Sequence, residues 1–218
     1  MEEVKRQILF VEGYTDLNFV KSFVGIHGSR WNEDVTISPA FGYEKAINNF
    51  CGALSNPSAY SRVGLIVDAD NVCADRYKLI QDTLNTIISD PLTLPSLPIT
   101  GLIATYYGMR YGIWIMPNCQ GKGALESFLY NKISRPNSLL NEVETAINTL
   151  EEHASHDIGL EEKIYNLNHK KKAIVHTYMS WKEPPDYSLG KALEENFFEK
   201  ETTEEKHFLN WLRGLYDL

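Results

Sequence analysis

Long apolar runs are absent from this 218-residue chain, and none approaches the roughly 18 residues that a membrane-spanning helix needs. The N-terminus, MEEVKRQILFVEG, lacks an apolar segment followed by a small-residue cleavage site, so we predict no signal peptide. Cysteine is scarce: Cys51, Cys73 and Cys119 stand far apart and form no CxxC pair, which argues against a disulfide framework and a zinc site. We therefore expect a cytoplasmic protein with no membrane segment.

Basic residues are also few. The chain has 21 Lys and Arg against 29 Asp and Glu, a net charge of -8. A protein that grips DNA or RNA by itself usually presents a basic face. The acidic excess is spread along the chain, which counts against tight unaided binding but leaves room for a local basic groove. Hydrophobic residues make up 43% of the sequence, enough for the core of one domain.

Short apolar segments alternate with amphipathic ones in the first half of the chain. This alternation predicts a largely parallel α/β sheet with helices on both faces. The third apolar segment, VGLIV, is continuously hydrophobic, as a central parallel strand should be. The predicted order is strand 7–12, helix 15–25, strand 35–38, helix 43–54, strand 63–67 and helix 74–89, followed by strands 99–105 and 111–117 as a hairpin.

From residue 121 onward the strand pattern stops and helical patterns follow one another. They are GALESFLYNKI, NSLLNEVETAINTLEEHA, a segment near 159–181 and two C-terminal stretches. We predict a Rossmann-like α/β domain over residues 1–130. Residues 131–218 would form a helical C-terminal extension packed on the same domain.

Two of the predicted strands end on acidic residues. The first ends in V-E-G with Glu12, and the third ends in V-D-A-D with Asp68 and Asp70. In a parallel sheet the ligand crevice lies at the carboxyl ends of the strands, and neighbouring strands lie about 4.8 Å apart. Asp16, one helical turn beyond Glu12, would lean over the same spot. These carboxylates should converge if the two strands adjoin, with Asp68 and Asp70 on one side of an extended chain.

Converging carboxylates need something to neutralise them. They repel one another by about 1 kcal/mol per pair even in a water-like medium. Either some become protonated or a divalent cation lies among them, and all-oxygen ligands favour Mg²⁺ or Mn²⁺. Gly13 would let the chain turn sharply and leave room for a substrate. The alternative is that each acid is a solvated loop residue or, for Asp16 beside Thr15, part of a helix cap.

The motifs V-E-G-Y-T-D (11–16) and V-D-A-D (67–70), with helical crossovers between them, resemble the Toprim domain. Topoisomerases, bacterial primases, RNase M5-like maturases and the overcoming-lysogenization-defect (OLD) nucleases share that domain, and the resemblance covers about residues 7–120. A longer resemblance is to a stand-alone Toprim-like bacterial family catalogued only as a domain of unknown function. It rests on IWIMPNCQGKGALESFL (113–129), KAIVHTYMSWKEPPDYSLGKAL (172–193) and FLNWLRGLY (208–216).

The resemblance implies a Toprim-like fold and roles for individual residues. Glu12, Asp68 and Asp70 would be catalytic, and together with Asp16 they would hold Mg²⁺ or Mn²⁺. Glu126 matches the acid beyond the DxD motif that helps hold a metal in OLD-type relatives, although the helix dipole also favours a glutamate there. The chain departs from the family by lacking a DxDxxG extension, a topoisomerase tyrosine domain and a primase zinc finger, so those activities are not expected.

Basic residues near these motifs are candidate contacts for a substrate phosphate. The turn PNCQGKGALE (117–126) follows a predicted strand and opens a helix, so its glycines and Lys122 suit a phosphate, although it is not a P-loop. Lys172, Arg76 and Gly13 are further candidates. Lys170 to Lys172 point in three directions on a helix, so a solvated face is the alternative. The histidines lack ligand spacing, and we interpret them as surface or structural residues.

These features predict a Mg²⁺-dependent Toprim-type nuclease, or another phosphodiester-acting enzyme, with DNA or RNA as its substrate. OLD-like nucleases carry or recruit an ABC-type ATPase, and this chain has no Walker motif. The resemblance therefore implies a separate ATPase partner in a defence-type system, and it leaves a homo-oligomer open. One alternative is a non-catalytic Toprim-fold module for regulation or protein interaction. The other is a phosphatase-like enzyme with Asp68 as its nucleophile.

Overall fold

The computed structural model describes residues 6–28, 34–88, 92–156 and 169–218, with side chains omitted for 153–156. Within these ranges no helix is both long and apolar enough to span a bilayer. The part of the predicted helix near 159–181 that precedes residue 169 lies outside them. The described elements are β1 Arg6–Val11, α1 Tyr14–Ile26, β2 Val35–Pro39, α2 Tyr43–Leu54, β3 Tyr60–Asp68, α3 Cys73–Ile87, β4 Leu102–Tyr106, β5 Met109–Met116, α4 Leu125–Tyr130, α5 Ser138–His156, α6 Lys170–Ser180, α7 Leu189–Glu194 and α8 Thr203–Tyr216.

The strands form one sheet in the order β2-β1-β3-β5-β4. β2, β1, β3 and β5 run parallel, whereas β4 pairs antiparallel with β5 as a hairpin. Parallel neighbours need a long crossover, and the helices between the short apolar strands supply it. The predicted mostly parallel sheet and its hairpin are confirmed. Because β1 and β3 adjoin, the acidic ends of both strands lie side by side.

Helices cover both faces of the sheet, as predicted. Successive strand residues point to opposite faces, so Leu9 packs with one layer and Phe10 with the other. The layer around Phe10 contains α2 and α3. The layer around Leu9 contains α1 and the later helices α4 to α8. The helical C-terminal segment therefore packs on the same face as α1, while its boundary at residue 130 remains a prediction.

The end of α8 packs into a slot that two glycines leave open in the sheet. Gly64 of β3 pairs with Gly112 of β5. A Cβ atom at Gly112 would lie 2.8 Å from Leu215 Cδ2, and one at Gly64 would overlap Tyr216 Oη. Tyr216 also donates its hydroxyl to the carbonyl of Ile8 at 2.7 Å. The absence of these two side chains thus allows the helix to lie directly on the strands.

A buried ion pair fixes how three helices meet. Lys132, just after α4, pairs with Glu205 of α8, and both side chains are only 1% exposed. Glu205 Oε1 also lies 2.9 Å from His27 Nε2 at the end of α1. Burial lowers the pKa of Lys132, although the Glu205 carboxylate acts in the other direction. Removing one partner of such a pair costs about 3–5 kcal/mol, because a buried charge is left uncompensated.

Candidate active site at the carboxyl edge of the sheet

Four carboxylates meet at the carboxyl ends of β1 and β3. Glu12 follows β1, Asp16 lies in the first turn of α1, Asp68 ends β3 and Glu126 lies in the first turn of α4. They line one cavity of about 380 Å³, called here the carboxylate cleft. Its other lining residues are Gly13, Thr15, Gly42, Leu125, Lys172 and His176.

Backbone N–H groups hold the carboxylates in place. Glu12 Oε1 accepts the N–H of Asp68 at 2.7 Å, and Asp68 Oδ1 accepts the N–H of Leu125 at 3.1 Å. Asp16 Oδ2 accepts the N–H of Gly13 at 2.9 Å, so this carboxylate also caps the start of α1. Asp16 can both cap α1 and line the cleft, because α1 begins at the rim of the cleft.

The 117–126 turn reaches the cleft because it is tied to the loop after β3. The N–H of Asp70 donates to the carbonyl of Gly123 at 2.9 Å, and the N–H of Gly123 donates to the carbonyl of Asp70 at 2.8 Å. This reciprocal bridge draws the start of α4, with Glu126, against the end of β3. The adjacency follows from the pairing of β3 with β5, which the sequence alone did not give.

Asp70 does not line the carboxylate cleft, but it shares a neighbouring cavity of about 340 Å³ with Asp68, Glu126 and Lys172. Its backbone is left-handed, with φ 53°, so Asp68 and Asp70 do not project from one extended chain as we expected. Asp70 Oδ2 pairs with the guanidinium of Arg76, whose Nε donates to the carbonyl of Asp68 at 2.8 Å. The guanidinium also lies 3.6 Å from the centre of the Tyr43 ring. Arg76 thus holds the DxD loop in place, and phosphate binding by Arg76 remains a prediction.

The cleft concentrates negative charge. Burial raises the pKa of Glu12 to about 7, although the hydrogen bond from the Asp68 N–H works against it. Burial, followed by the charges of Glu12, Asp16 and Glu126, raises the pKa of Asp68 well above its usual range. Burial also raises the pKa of Asp16. Desolvation and mutual repulsion shift acids in this direction, and groups shifted in this way concentrate at functional sites.

Glu126 differs from its neighbours because α6 supplies basic partners. Lys172 Nζ lies 3.0 Å and His176 Nε2 lies 3.4 Å from the same oxygen, Oε1. Burial alone would raise the pKa of Glu126, but the His176 hydrogen bond and the Lys172 charge outweigh it and lower that pKa to about 2. The predicted candidates Lys172 and Glu126 therefore contact each other directly at the cleft.

Sequence reasoning missed three residues at this cleft. His176, interpreted above as surface or structural, lies four residues after Lys172 and therefore on the same side of α6. That spacing is a signal that the sequence did contain. Tyr14 and Phe41, which adjoin Gly13 and Gly42 of the cleft, were missed because single aromatic residues in predicted loops carry no pattern.

Another cavity lies toward α5 and α6. It adjoins the cavity that contains Asp68 and Glu126, with which it shares Asp70, Gly123 and Lys171. Lys170 in it is bound to Asn148 and Glu151. Lys122 and Lys171 form no ion pair with any described residue, and the pKa of Lys171 is lowered by burial and then by the Lys122 charge. The cavity has a volume of about 460 Å³ and is called here the lysine cleft. It is lined by Asp70, Asn71, Lys122, Gly123, Ser127, Tyr130, Glu144, Asn148, Lys170, Lys171 and Ile174.

The carboxylate cleft suits a hard divalent cation in its chemistry. Three of its four acids, Glu12, Asp16 and Asp68, have raised pKa values, and an oxygen-rich set of this kind is one that Mg²⁺ or Mn²⁺ neutralises. Over the four described ranges, however, no three His, Cys, Asp or Glu side chains are already arranged to hold a metal ion. Their oxygens accept backbone N–H groups and contact Lys172 instead. The residue types therefore suit Mg²⁺ or Mn²⁺, but the side chains would have to rotate before they could coordinate one ion together.

The fold and the cleft define a mixed α/β protein with clustered carboxylates at one sheet edge. The chain belongs to the family described as "Protein of unknown function (DUF3226)", whose model matches residues 6–217. A search of the curated proteins gave no match. A solved structure, the C-terminal region of the OLD protein of Xanthomonas campestris pv. campestris, is similar with a TM-score of 0.47 and 12% sequence identity, over 98% of this chain and 97% of that chain.

Proposed function

We propose that this chain is a Toprim-type nuclease that uses Mg²⁺ or Mn²⁺ to act on phosphodiester bonds of DNA or RNA. The observation that carries the proposal is the convergence of four carboxylates, two from strand ends and two from helix starts, on one cleft beside a lysine. The V-E-G-Y-T-D and V-D-A-D motifs, which resemble Toprim motifs, supply the first three of those acids.

Each side chain in the cleft has a chemical role in this proposal. Glu12, Asp16, Asp68 and Glu126 would hold the cation, which when bound supplies Lewis-acid polarisation of the phosphate. Lys172 Nζ, beside Glu126, is placed to donate to a phosphate oxygen. The Toprim resemblance adds proton transfer to the role of Glu12, whose pKa of about 7 holds for the metal-free cleft, since a bound cation would lower it. Asp70 would act from the adjoining cavity.

The substrate backbone would continue into the lysine cleft. Lys122 and Lys171 face that cavity without carboxylate partners among the described residues, and repulsion between them favours an anion. Lysines 170 to 172 occupy the first turn of α6, where the helix dipole adds further positive potential. The net charge of -8 keeps unaided affinity low. We therefore include an ABC-type ATPase as the partner that delivers substrate.

Incubation with supercoiled plasmid and structured RNA, in Mg²⁺, Mn²⁺ or EDTA, tests the proposed activity. We expect cleavage only with a divalent cation, and a loss of about 100-fold or more in Glu12→Gln and Asp68→Asn. Asp82→Asn, which changes an exposed acid on α3, is the matched control and should retain wild-type activity. Full activity in both cleft variants would contradict the proposed roles of these acids.

A non-catalytic interaction module is the second candidate. It is favoured by the backbone N–H contacts that already engage the carboxylates and by the acidic net charge. Calorimetric titration with Mn²⁺ separates the two candidates, since a module with no cation site gives no binding heat and no cleavage. A phosphatase-like reaction with Asp68 as nucleophile is the third alternative, and it requires an aspartyl-phosphate on Asp68, which metal-assisted hydrolysis by water does not form.

A further inference from the structure

Two exposed aromatic side chains stand at the rim of the carboxylate cleft. Tyr14 is 61% exposed and Phe41 is 64% exposed, and their rings meet edge to face at 5.4 Å. Tyr14 follows Gly13 and Phe41 precedes Gly42, and both glycines line the cleft. The N–H of Gly42 donates to the carbonyl of Glu12 at 3.0 Å, which holds the two loops together. Core packing does not account for this pair.

The backbone at Phe41 is strained although its side chain is exposed. Its φ is 62°, in the left-handed region that bulky residues rarely occupy. A hydrophobic residue just before a helix often packs against the first turn, but Phe41 remains largely exposed and so gains little from such a contact. Glycine or asparagine would suit this backbone better. Strained residues concentrate at functional sites, where the side chain is needed for another reason.

The order of the strands places this pair and the lysine cleft on opposite sides of the carboxylates. The loops that follow β2, β1, β3 and β5 succeed one another along the sheet edge. In that order they carry Phe41, then Tyr14 with Glu12, then Asp68, then Lys122. Three strand spacings of about 4.8 Å separate the first loop from the last, roughly 14 Å. That distance corresponds to a few nucleotides of one strand.

We propose that Tyr14 and Phe41 form a stacking platform for an unpaired base next to the phosphodiester bound at the carboxylate cleft. The proposal rests on the nuclease function above and names its substrate class: single-stranded nucleic acid or a frayed end. Bases inside a continuous duplex are stacked on one another and offer no free face to a protein ring. Because every base has a π-face, the platform is tolerant of sequence.

Binding of a single-stranded oligonucleotide and of the matched duplex to the full chain tests the platform. Fluorescence anisotropy in Ca²⁺ and in EDTA measures affinity, and a 2-aminopurine in the single strand reports stacking directly. Tyr14→Ala and Phe41→Ala should each weaken single-strand binding by about tenfold, and the 2-aminopurine quenching seen with the wild type should be lost. The duplex affinity should stay unchanged.

Tyr107→Ala is the matched control. Tyr107 is 66% exposed, has φ 46° and meets Tyr106 edge to face at 4.7 Å, but it lies on the β4–β5 hairpin at the opposite edge of the sheet. Its replacement should leave single-strand affinity and quenching as in the wild type. Equal losses in Tyr107→Ala would show that exposed rings act non-specifically and would overturn the platform.

Two further variants separate binding from folding. Phe41→Gly relieves the strained backbone, so its Tm should hold or rise while single-strand affinity falls; a purely structural Phe41 would lower the Tm instead. Phe41→Trp keeps a ring and should retain affinity. If the wild type cleaves nucleic acid but both alanine variants bind and quench normally, the platform is overturned and the nuclease proposal stands. If the wild type neither binds nor cleaves, both fail.

Discussion

At Glu12 a carboxylate is buried at the end of β1, and its pKa is raised from 4.5 to about 7, first by burial. The folded state therefore binds this proton more tightly than the unfolded chain does. Protonated Glu12 adds to the free energy of unfolding below pH 4.5, and this contribution is lost as the pH rises through about 7. Burial and the neighbouring acids also raise the pKa of Asp68, so protonation of Asp68 contributes to stability in the same direction.

We expect the metal-free protein to lose stability between pH 4.5 and 7. The loss due to Glu12 is at most about 3 kcal/mol, and Glu12→Gln should flatten this part of the profile. Urea denaturation across this range in EDTA measures it. Glu126→Gln is the opposite control: the pKa of Glu126 is lowered to about 2, so its contribution is lost as the pH falls toward 2. An unchanged slope in Glu12→Gln would contradict the burial argument.

Single residues at this site were predictable where strand ends determine their positions. Glu12 and Asp68 follow apolar strands, so their shared edge could be inferred from the parallel pattern. Asp70 could not be placed, because its left-handed backbone breaks the extended geometry assumed for the DxD motif. The spacing of Lys172 and His176 shows that they share one side of α6, but the packing of that side against Glu126 of α4 could not be read from the sequence.

At the scale of elements, the pair Gly64 and Gly112 determines where α8 lies. A methyl group at Gly64 would meet Tyr216 Oη and Leu9 Cδ1, and both side chains are fully buried. Neither neighbour can move easily, because Tyr216 is also hydrogen-bonded to the carbonyl of Ile8. The strands and the helix are therefore fitted to each other across the missing side chains.

Gly64→Ala should reduce the free energy of unfolding by about 1–3 kcal/mol, because the added methyl group overpacks the slot. Urea denaturation measures the change. Gly52→Ala is the matched control, since Gly52 lies in α2 and a Cβ there meets nothing within 4 Å. That change should stabilise the protein by about 0.5–1 kcal/mol. Equal effects of the two substitutions would rule out the slot.

The sequence predicted the elements better than their arrangement. Alternating patterns placed most strands and helices, and the hairpin, close to their observed positions. The order β2-β1-β3-β5-β4 was not predictable, because several orders satisfy the same apolar strands. The apolar residues Phe208, Leu212 and Leu215 show that α8 is buried, but they do not say which face it covers. The slot at Gly64 and Gly112 and the ion pair of Lys132 with Glu205 determine which face α8 covers.

At the scale of the whole molecule, the C-terminal helices complete the core of the N-terminal sheet. Phe208 packs 4.9 Å from Phe23 and 4.9 Å from Trp114, measured between ring centres. Trp211 donates its indole N–H to the carbonyl of Leu102 at 2.9 Å. Removal of these helices would expose a large apolar face.

We expect residues 1–130 to fail to fold alone. The fragment should bind a hydrophobic dye, lose its near-ultraviolet circular dichroism and lack a cooperative unfolding transition, because α8 no longer covers the sheet. The full chain, measured in parallel, should show one cooperative transition. A sharp transition in the fragment would instead establish the predicted 1–130 segment as an independent domain.

The hydrogen bond from Tyr216 to Ile8 joins residues 208 positions apart. During translation, β1 leaves the ribosome long before its partner on α8 has been synthesised. One side of the nascent sheet therefore stays open to water until residues 203–216 emerge, and the growing chain is exposed to aggregation throughout that interval. The order of synthesis therefore makes the docking of α8 a late step, and the two sides of the sheet are completed at different times.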